Sequence, residues 1–175
     1  MLKALLPLAI ACAMAAGCAV MGGSGGPSAV GNLAPTKGNS TSGKVTFTQS
    51  GDRVRVTVDI SGLKSDGEHG FHVHEKGDCS SGDGMSAGGH FNPAAKSHGN
   101  VHAGGDRHAG DLPNLKADSY GKASASFEVT GITVGSGAAD IVGKGLIVHR
   151  DPDDYKSQPA GNAGPRLACA VIAKS

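Results

Sequence analysis

The sequence predicts an all-β domain, a sandwich or barrel of short strands, on three observations. Glycine supplies 29 of the 175 residues, more than twice its usual share of about 7%. Each glycine inside a helix costs about 1 kcal/mol relative to alanine, so long helices are disfavoured. Apolar and polar residues alternate with period two in several short runs, and Gly, Pro, Asp and Asn clusters bound those runs. A hydrophobic fraction of 38% still supplies a core, so the glycines mark turns between strands and not disorder.

The first clear element is a β-hairpin. Lys44–Gln49 alternates, Ser50-Gly51-Asp52 supplies a turn, and Arg53–Ile60 alternates again. Further strands are expected over Gly70–His74, Ala123–Val129, Gly145–His149 and Ala168–Ala173. Between them, Glu75–Asn114 and Arg150–Arg166 are long and irregular, and loops of that length usually carry function.

Upstream of the strands the chain carries an address. Met1 and Lys3 precede an apolar run from Ala4 to Ala16, the length of a signal-peptide core and short of the roughly 20 residues that span a bilayer. Export is the expectation. Ala13-Met14-Ala15 fits an A-x-A cleavage site, while Ala15-Ala16-Gly17-Cys18 resembles a bacterial lipobox despite having Ala where Leu is more common; lipidation at Cys18 is slightly favoured. Residues 1–18 are thus read as a signal peptide, 19–28 as a Gly/Ser-rich flexible linker, and 29–175 as one domain. Lys and Arg number 16 against 15 Asp and Glu, so there is no basic surplus of the kind that binds nucleic acid.

Processing removes Cys12 and leaves Cys18 at the chain end. In an exported chain Cys79 and Cys169 are then expected to form a disulfide closing a loop of about 90 residues, the alternative being two buried thiols.

Eight histidines hold the chemistry: His69, His72, His74, His90, His98, His102, His108 and His149. On a strand, His72 and His74 point to one face and offer two imidazoles side by side. A lone His-x-His pair is weak evidence of a metal, but His90, His98, His108 and Asp111 follow in one loop, and imidazoles with a carboxylate make an ordinary tetrahedral zinc set. His149 ends the apolar run Leu146-Ile147-Val148. Imidazoles suit copper as well as zinc, so spacing leaves the metals unassigned.

Four separated segments, Gly70-Phe71-His72-Val73-His74-Glu75, Gly88-Gly89-His90-Phe91-Asn92-Pro93, His108-Ala109-Gly110-Asp111-Leu112 and Gly164-Pro165-Arg166-Leu167-Ala168-Cys169, closely resemble the copper/zinc superoxide dismutase family in order and spacing. The resemblance covers essentially Ala29–Ile172. The placement of Cys79, five residues after His74, is similar to that of bacterial, periplasmic members. It implies a flattened eight-stranded Greek-key β-barrel, related to immunoglobulin-like sandwiches, with two long functional loops. It also implies dismutation of superoxide to oxygen and hydrogen peroxide at a redox-cycling copper, with a structural zinc. By this resemblance His72, His74, His90 and His149 hold copper, and His90, His98, His108 and Asp111 hold zinc. His90 bridges the metals and carries a proton. Asp153 joins a copper-ligand ring to a zinc-ligand ring, Arg166 attracts and positions the anion, and Cys79 pairs with Cys169.

His69 has the opposite strand parity to His72 and His74 and is read as a structural hydrogen-bonding residue. His102 and Lys156 are read as solvated, although Lys156 could steer an anion, and Asp154 as turn chemistry. A metal buffer on the same fold is the competing function, since fold does not fix function. Such a binder would be expected to lack a copper ligand or the arginine, and every such position is kept. Surface adhesion would explain none of the histidines. Expected partners are superoxide, a second copy in a homodimer and, through lipidated Cys18, a membrane surface; the expected location is the periplasm.

Overall fold

The structure, a computed structural model, describes Met1 and residues 25–175. The signal segment, Cys18 and most of the expected linker lie outside the described residues. The chain forms β1 (Ser28–Pro35), β2 (Ser42–Ser50), β3 (Arg53–Ser61), β4 (Glu68–His69), β5 (Phe71–His74), β6 (Leu115–Lys116), β7 (Ala123–Val129), β8 (Gly145–His149) and β9 (Arg166–Lys174). Among the described residues the sole helical segment is a single 3-10 turn, Met85–Ala87, and no helix is long and apolar enough to cross a membrane.

Seven strands make one antiparallel sheet in the order β5-β8-β9-β1-β2-β3-β7, and β4 pairs with β6. β4 and β5 are one run of chain interrupted only at Gly70, so together they count as one strand of an eight-stranded Greek-key barrel. The break needs glycine: a Cβ at Gly70 would lie 2.7 Å from the Ala163 side chain. There the Gly70 amide donates to the Asp151 carbonyl at 2.8 Å, docking the loop 150–165 against the strand.

Strand parity builds the core. On β3, Val54, Val56, Val58 and Ile60 are buried while the residues between them are exposed. They meet Phe47 of β2, Phe71 and Val73 of β5, Leu146 and Val148 of β8, and Ile172 of β9. The expected hairpin is present as β2 and β3, paired from Ser42↔Ser61 to Ser50↔Arg53, with Gly51 at φ 61° in the turn.

Three strands escape the sequence reading, one of them β4, which precedes the expected Gly70–His74 run. β1 reads Ser-Ala-Val-Gly-Asn-Leu-Ala-Pro, with one β-branched residue, and β6 has only two residues. The linker expected over 19–28 overlaps the sheet, because Ser28 begins β1 and the Pro27 carbonyl accepts from the Gln49 amide at 2.9 Å.

β5 lies at a sheet edge, and the long loop 75–114 covers it. Val73 donates to the Gly110 carbonyl at 2.9 Å and accepts from Phe91 at 2.8 Å, and Glu75 donates to Gly89 at 2.9 Å. Gly110 permits the approach, since a Cβ there would stand 2.1 Å from the Val73 oxygen. Cys79 of this loop is disulfide-bonded to Cys169 of β9, with Cα atoms 5.8 Å apart. Beside the bridge, Ala87 and Ile147 form a small second apolar cluster.

A Cys79→Ser, Cys169→Ser double variant should lose about 2–4 kcal/mol of stability through the freer unfolded chain. Urea unfolding measures it, and an unchanged midpoint would show that the bridge contributes nothing.

Candidate metal centre

Alternation places Phe71 and Val73 in the core and turns His72 and His74 to the outer face of the sheet, beneath the two long loops. His72 lies opposite Ile147 on β8. His149, at the end of β8, sits where the β8–β9 register shifts between Val148 and His149; such bulges commonly re-aim a side chain beside a site. The loop along the β5 edge brings His90 opposite His74 and Asp111 opposite His72.

These residues meet in two groups. One consists of His72, His74, His90 and His149; the other of His90, His98, His108 and Asp111. All are buried, each group's ligand atoms lie within 4.8 Å of one another, and His90 belongs to both. The His72 and His90 rings stack with centroids 4.0 Å apart.

Four of the six rings are held from behind. His72 Nε2 and His98 Nε2 each lie 2.9 Å from Asp153, on Oδ2 and Oδ1 respectively, so one buried carboxylate spans the two groups. His74 Nδ1 meets the Gly88 carbonyl at 2.9 Å, and His149 Nδ1 meets that of Gly164 at 3.0 Å. Four inward nitrogens, His72 Nδ1, His74 Nε2, His90 Nε2 and His149 Nε2, have no protein partner, while His98 Nδ1 and His108 Nδ1 have only Asp111 Oδ1 beside them, at 3.1 and 3.3 Å. Buried polar atoms are seldom left unpaired, and a metal ion satisfies such lone pairs.

The second group fits zinc on distance as well. Asp111 Oδ1 lies 2.8, 3.1 and 3.3 Å from Nδ1 of His90, His98 and His108. A tetrahedral ion about 2.0 Å from each ligand spaces them about 3.3 Å apart. Asp111 is oriented by its other oxygen, which accepts from the His108 amide at 2.8 Å.

Burial lowers His72 to about 4 and His149 to about 3 and puts His74 well below the ordinary range, so these rings are neutral at pH 7 and keep a lone pair. Burial also pulls on His98, but Asp111 and Asp153 beside it prevail and raise it to about 9. Both carboxylates pay for desolvation yet are held well below the usual range by the imidazoles they face.

Arg166 is half-buried at the start of β9. Its Nη1 donates to the Gly84 carbonyl and its Nη2 to that of Gly88, each at 2.6 Å. Gly88 therefore holds both Arg166 and His74. His69 is buried and its Nδ1 meets the His149 carbonyl at 2.9 Å. His102 and Lys156 are exposed and lie outside both groups. Asp154 Oδ1 accepts from the amides of Lys156 and Ser157 at 2.9 and 2.8 Å, closing a turn.

Sequence reasoning missed the residues behind Asp153 and His98. Asn114 makes a reciprocal pair with the Asp153 backbone, Nδ2 to the carbonyl at 2.9 Å and Oδ1 from the amide at 3.0 Å. Tyr155 donates its amide to Asp153 Oδ1 at 2.7 Å and accepts at its hydroxyl from the Asn114 amide at 2.8 Å. Gln158 pairs in the same reciprocal way with His98. Amides in loops carry no spacing signal that announces such contacts.

The metal-free chain carries a proton on His98 at neutral pH, and metal uptake must displace it. Zinc binding should therefore release about one proton per ion near neutral pH, and affinity should climb as pH rises towards the His98 value of about 9. Calorimetry in buffers of different ionisation enthalpy reads the proton count; no release at neutral pH would contradict the assignment.

The family model described as copper/zinc superoxide dismutase (SODC) matches residues 41–172. The chain is 45% identical over 139 residues to "Superoxide dismutase [Cu-Zn]" of Paramecium bursaria Chlorella virus 1, covering 74% of this chain and 71% of the relative. It is 42% identical over 153 residues to "Extracellular superoxide dismutase [Cu-Zn]" of Drosophila melanogaster, covering 80% and 81%. The solved structure titled "Crystal Structure Analysis of the clock protein EA4" superposes with a TM-score of 0.75 at 40% identity, over 83% of this chain and 93% of that one. Barrel, histidine order and sequence similarity agree, and the chain belongs to the copper/zinc superoxide dismutase family.

Proposed function

We propose that His72, His74, His90 and His149 hold copper, that His90, His98, His108 and Asp111 hold zinc, and that Arg166 guides superoxide to the copper side. One observation supports this most: four buried imidazole nitrogens, of His72, His74, His90 and His149, face the first group without a protein partner, and His90 belongs to both groups. Copper, when bound, supplies the one-electron redox couple, and zinc adds a fixed charge without redox chemistry. Two superoxide anions and two protons become one oxygen and one hydrogen peroxide.

The chain's own residues contribute position and charge. Arg166 is always protonated, and at the mouth of a low-dielectric site a fixed cation concentrates small anions. The carbonyls of Gly84 and Gly88 aim it by holding two of its nitrogens. Asp153 fixes the tautomers of His72 and His98, so that each directs its Nδ1 inward. His90 Nε2 is the atom placed to hold a proton and hand it to the departing peroxide.

Residues 1–18 carry the export signal, with Cys18 lipidated, and residues 19–28 tether the chain to a periplasmic membrane face; residues 29–175 form the catalytic domain, active as a homodimer. The disulfide supports an oxidising compartment, and a relative carries the name extracellular. Mass spectrometry of the mature chain from a bacterial host should show a diacylated or triacylated Cys18 terminus; an unmodified terminus at Ala16 would refute lipidation.

Pulse radiolysis tests the catalytic assignment. The chain loaded with copper and zinc should remove superoxide rapidly, and the zinc-only chain should not. Arg166→Gln should lower the rate constant about tenfold or more at low ionic strength and flatten its salt dependence, with both metals retained. No decay at full copper occupancy would overturn the assignment in favour of a metal buffer.

A further inference from the structure

His98 is the one ligand of the second group gripped at both its ring and its backbone by the other long loop. Its amide donates to Gln158 Oε1 at 3.0 Å, and Gln158 Nε2 returns a bond to the His98 carbonyl at 2.8 Å. Among the described residues the His98 backbone makes no other hydrogen bond. The side-chain amide of Gln158 thus replaces a strand partner, satisfying the donor and the acceptor of one residue at once. The ring is fixed separately, by Asp153 at Nε2.

The turn that presents Gln158 is built from contacts that include no metal ligand. Asp154 accepts from the Lys156 and Ser157 amides through Oδ1 and from the Ser157 hydroxyl, at 2.6 Å, through Oδ2. Asn162 Nδ2 donates to the same hydroxyl oxygen at 2.8 Å. The turn presses against the site at Gly161, where a Cβ would stand 1.8 Å from Asp153 Oδ1 and 2.7 Å from His98 Nε2.

From this geometry we propose that Gln158 is a positioning residue of the zinc group: it fixes the His98 backbone so that, with the ring held by Asp153, Nδ1 is presented to the ion before the ion arrives. The proposal rests on the zinc assignment above. It differs from the Asp153 contact, which orients the ring alone. Because the contact is to backbone, other side chains at this position lose it unless they carry both a donor and an acceptor at the right reach.

The test is zinc titration of the full-length chain against a chromophoric chelator, with cobalt(II) d–d absorption reporting ligand geometry. Gln158→Leu should weaken zinc binding about tenfold, within the 10–100-fold range typical of residues behind a metal ligand, and alter the tetrahedral cobalt bands. Gln158→Glu keeps the length and the acceptor but turns an oxygen towards the His98 carbonyl, and should also weaken binding; it carries the decision if Gln158→Leu does not fold. His98→Ala in the same titration separates the two ideas. Loss of zinc in His98→Ala together with unchanged affinity and cobalt spectra in both Gln158 variants would overturn the positioning role alone. Equal zinc binding by wild type and His98→Ala would overturn the zinc assignment and this proposal with it.

Discussion

The structure turns on one buried carboxylate. Asp153 lies wholly out of solvent, with one oxygen on His72 and the other on His98. A buried charge is costly unless it is paired and hydrogen-bonded, and here two imidazoles and the Tyr155 amide supply that compensation. Three parts of the chain that are distant in sequence are therefore committed to one place: the strand β5, the loop that carries His98, and the loop after β8.

Around this point the backbone does much of the orienting. Gly88 and Gly164 contribute carbonyls to His74 and His149, and Gly84 and Gly88 contribute them to Arg166. Gly84 and Gly88 have φ values of 78° and 75°, a region that side-chain-bearing residues seldom adopt. The disulfide at Cys79 and the packing of Ala87 beside it hold this carbonyl-bearing segment to the sheet. Arg166 and the His74 ring are thus located by the same peptide group.

Much of this is legible in the sequence. Period-two alternation announced β2 and β3, because a strand with one buried face must alternate, and short runs bounded by Gly, Pro, Asp and Asn clusters announced β5, β7, β8 and β9. β1 was not legible: its inward positions are Ala29, Gly31 and Leu33, and Gly31 is needed because a Cβ there would sit 2.9 Å from Leu146. A strand that pays for close packing with small residues loses the pattern by which strands are recognised. At the site, the histidines and Asp111 were legible as a set because metal ligands are few in kind. Assigning them to particular partners required the resemblance to a family. The amides of Asn114 and Gln158 gave no signal, since their value lies in meeting backbone atoms 39 and 60 positions away.

One feature of the barrel reaches beyond catalysis. β5 ends its sheet, and its free side is occupied by backbone atoms of Gly89, Phe91 and Gly110. The loop that gathers the metal ligands is therefore also what keeps that strand from offering unpaired amides and carbonyls to another chain. Solubility and metal loading are consequently joined in one segment: a molecule whose loop has come away from β5 has lost its cofactor pocket and exposed a template for self-association in the same event.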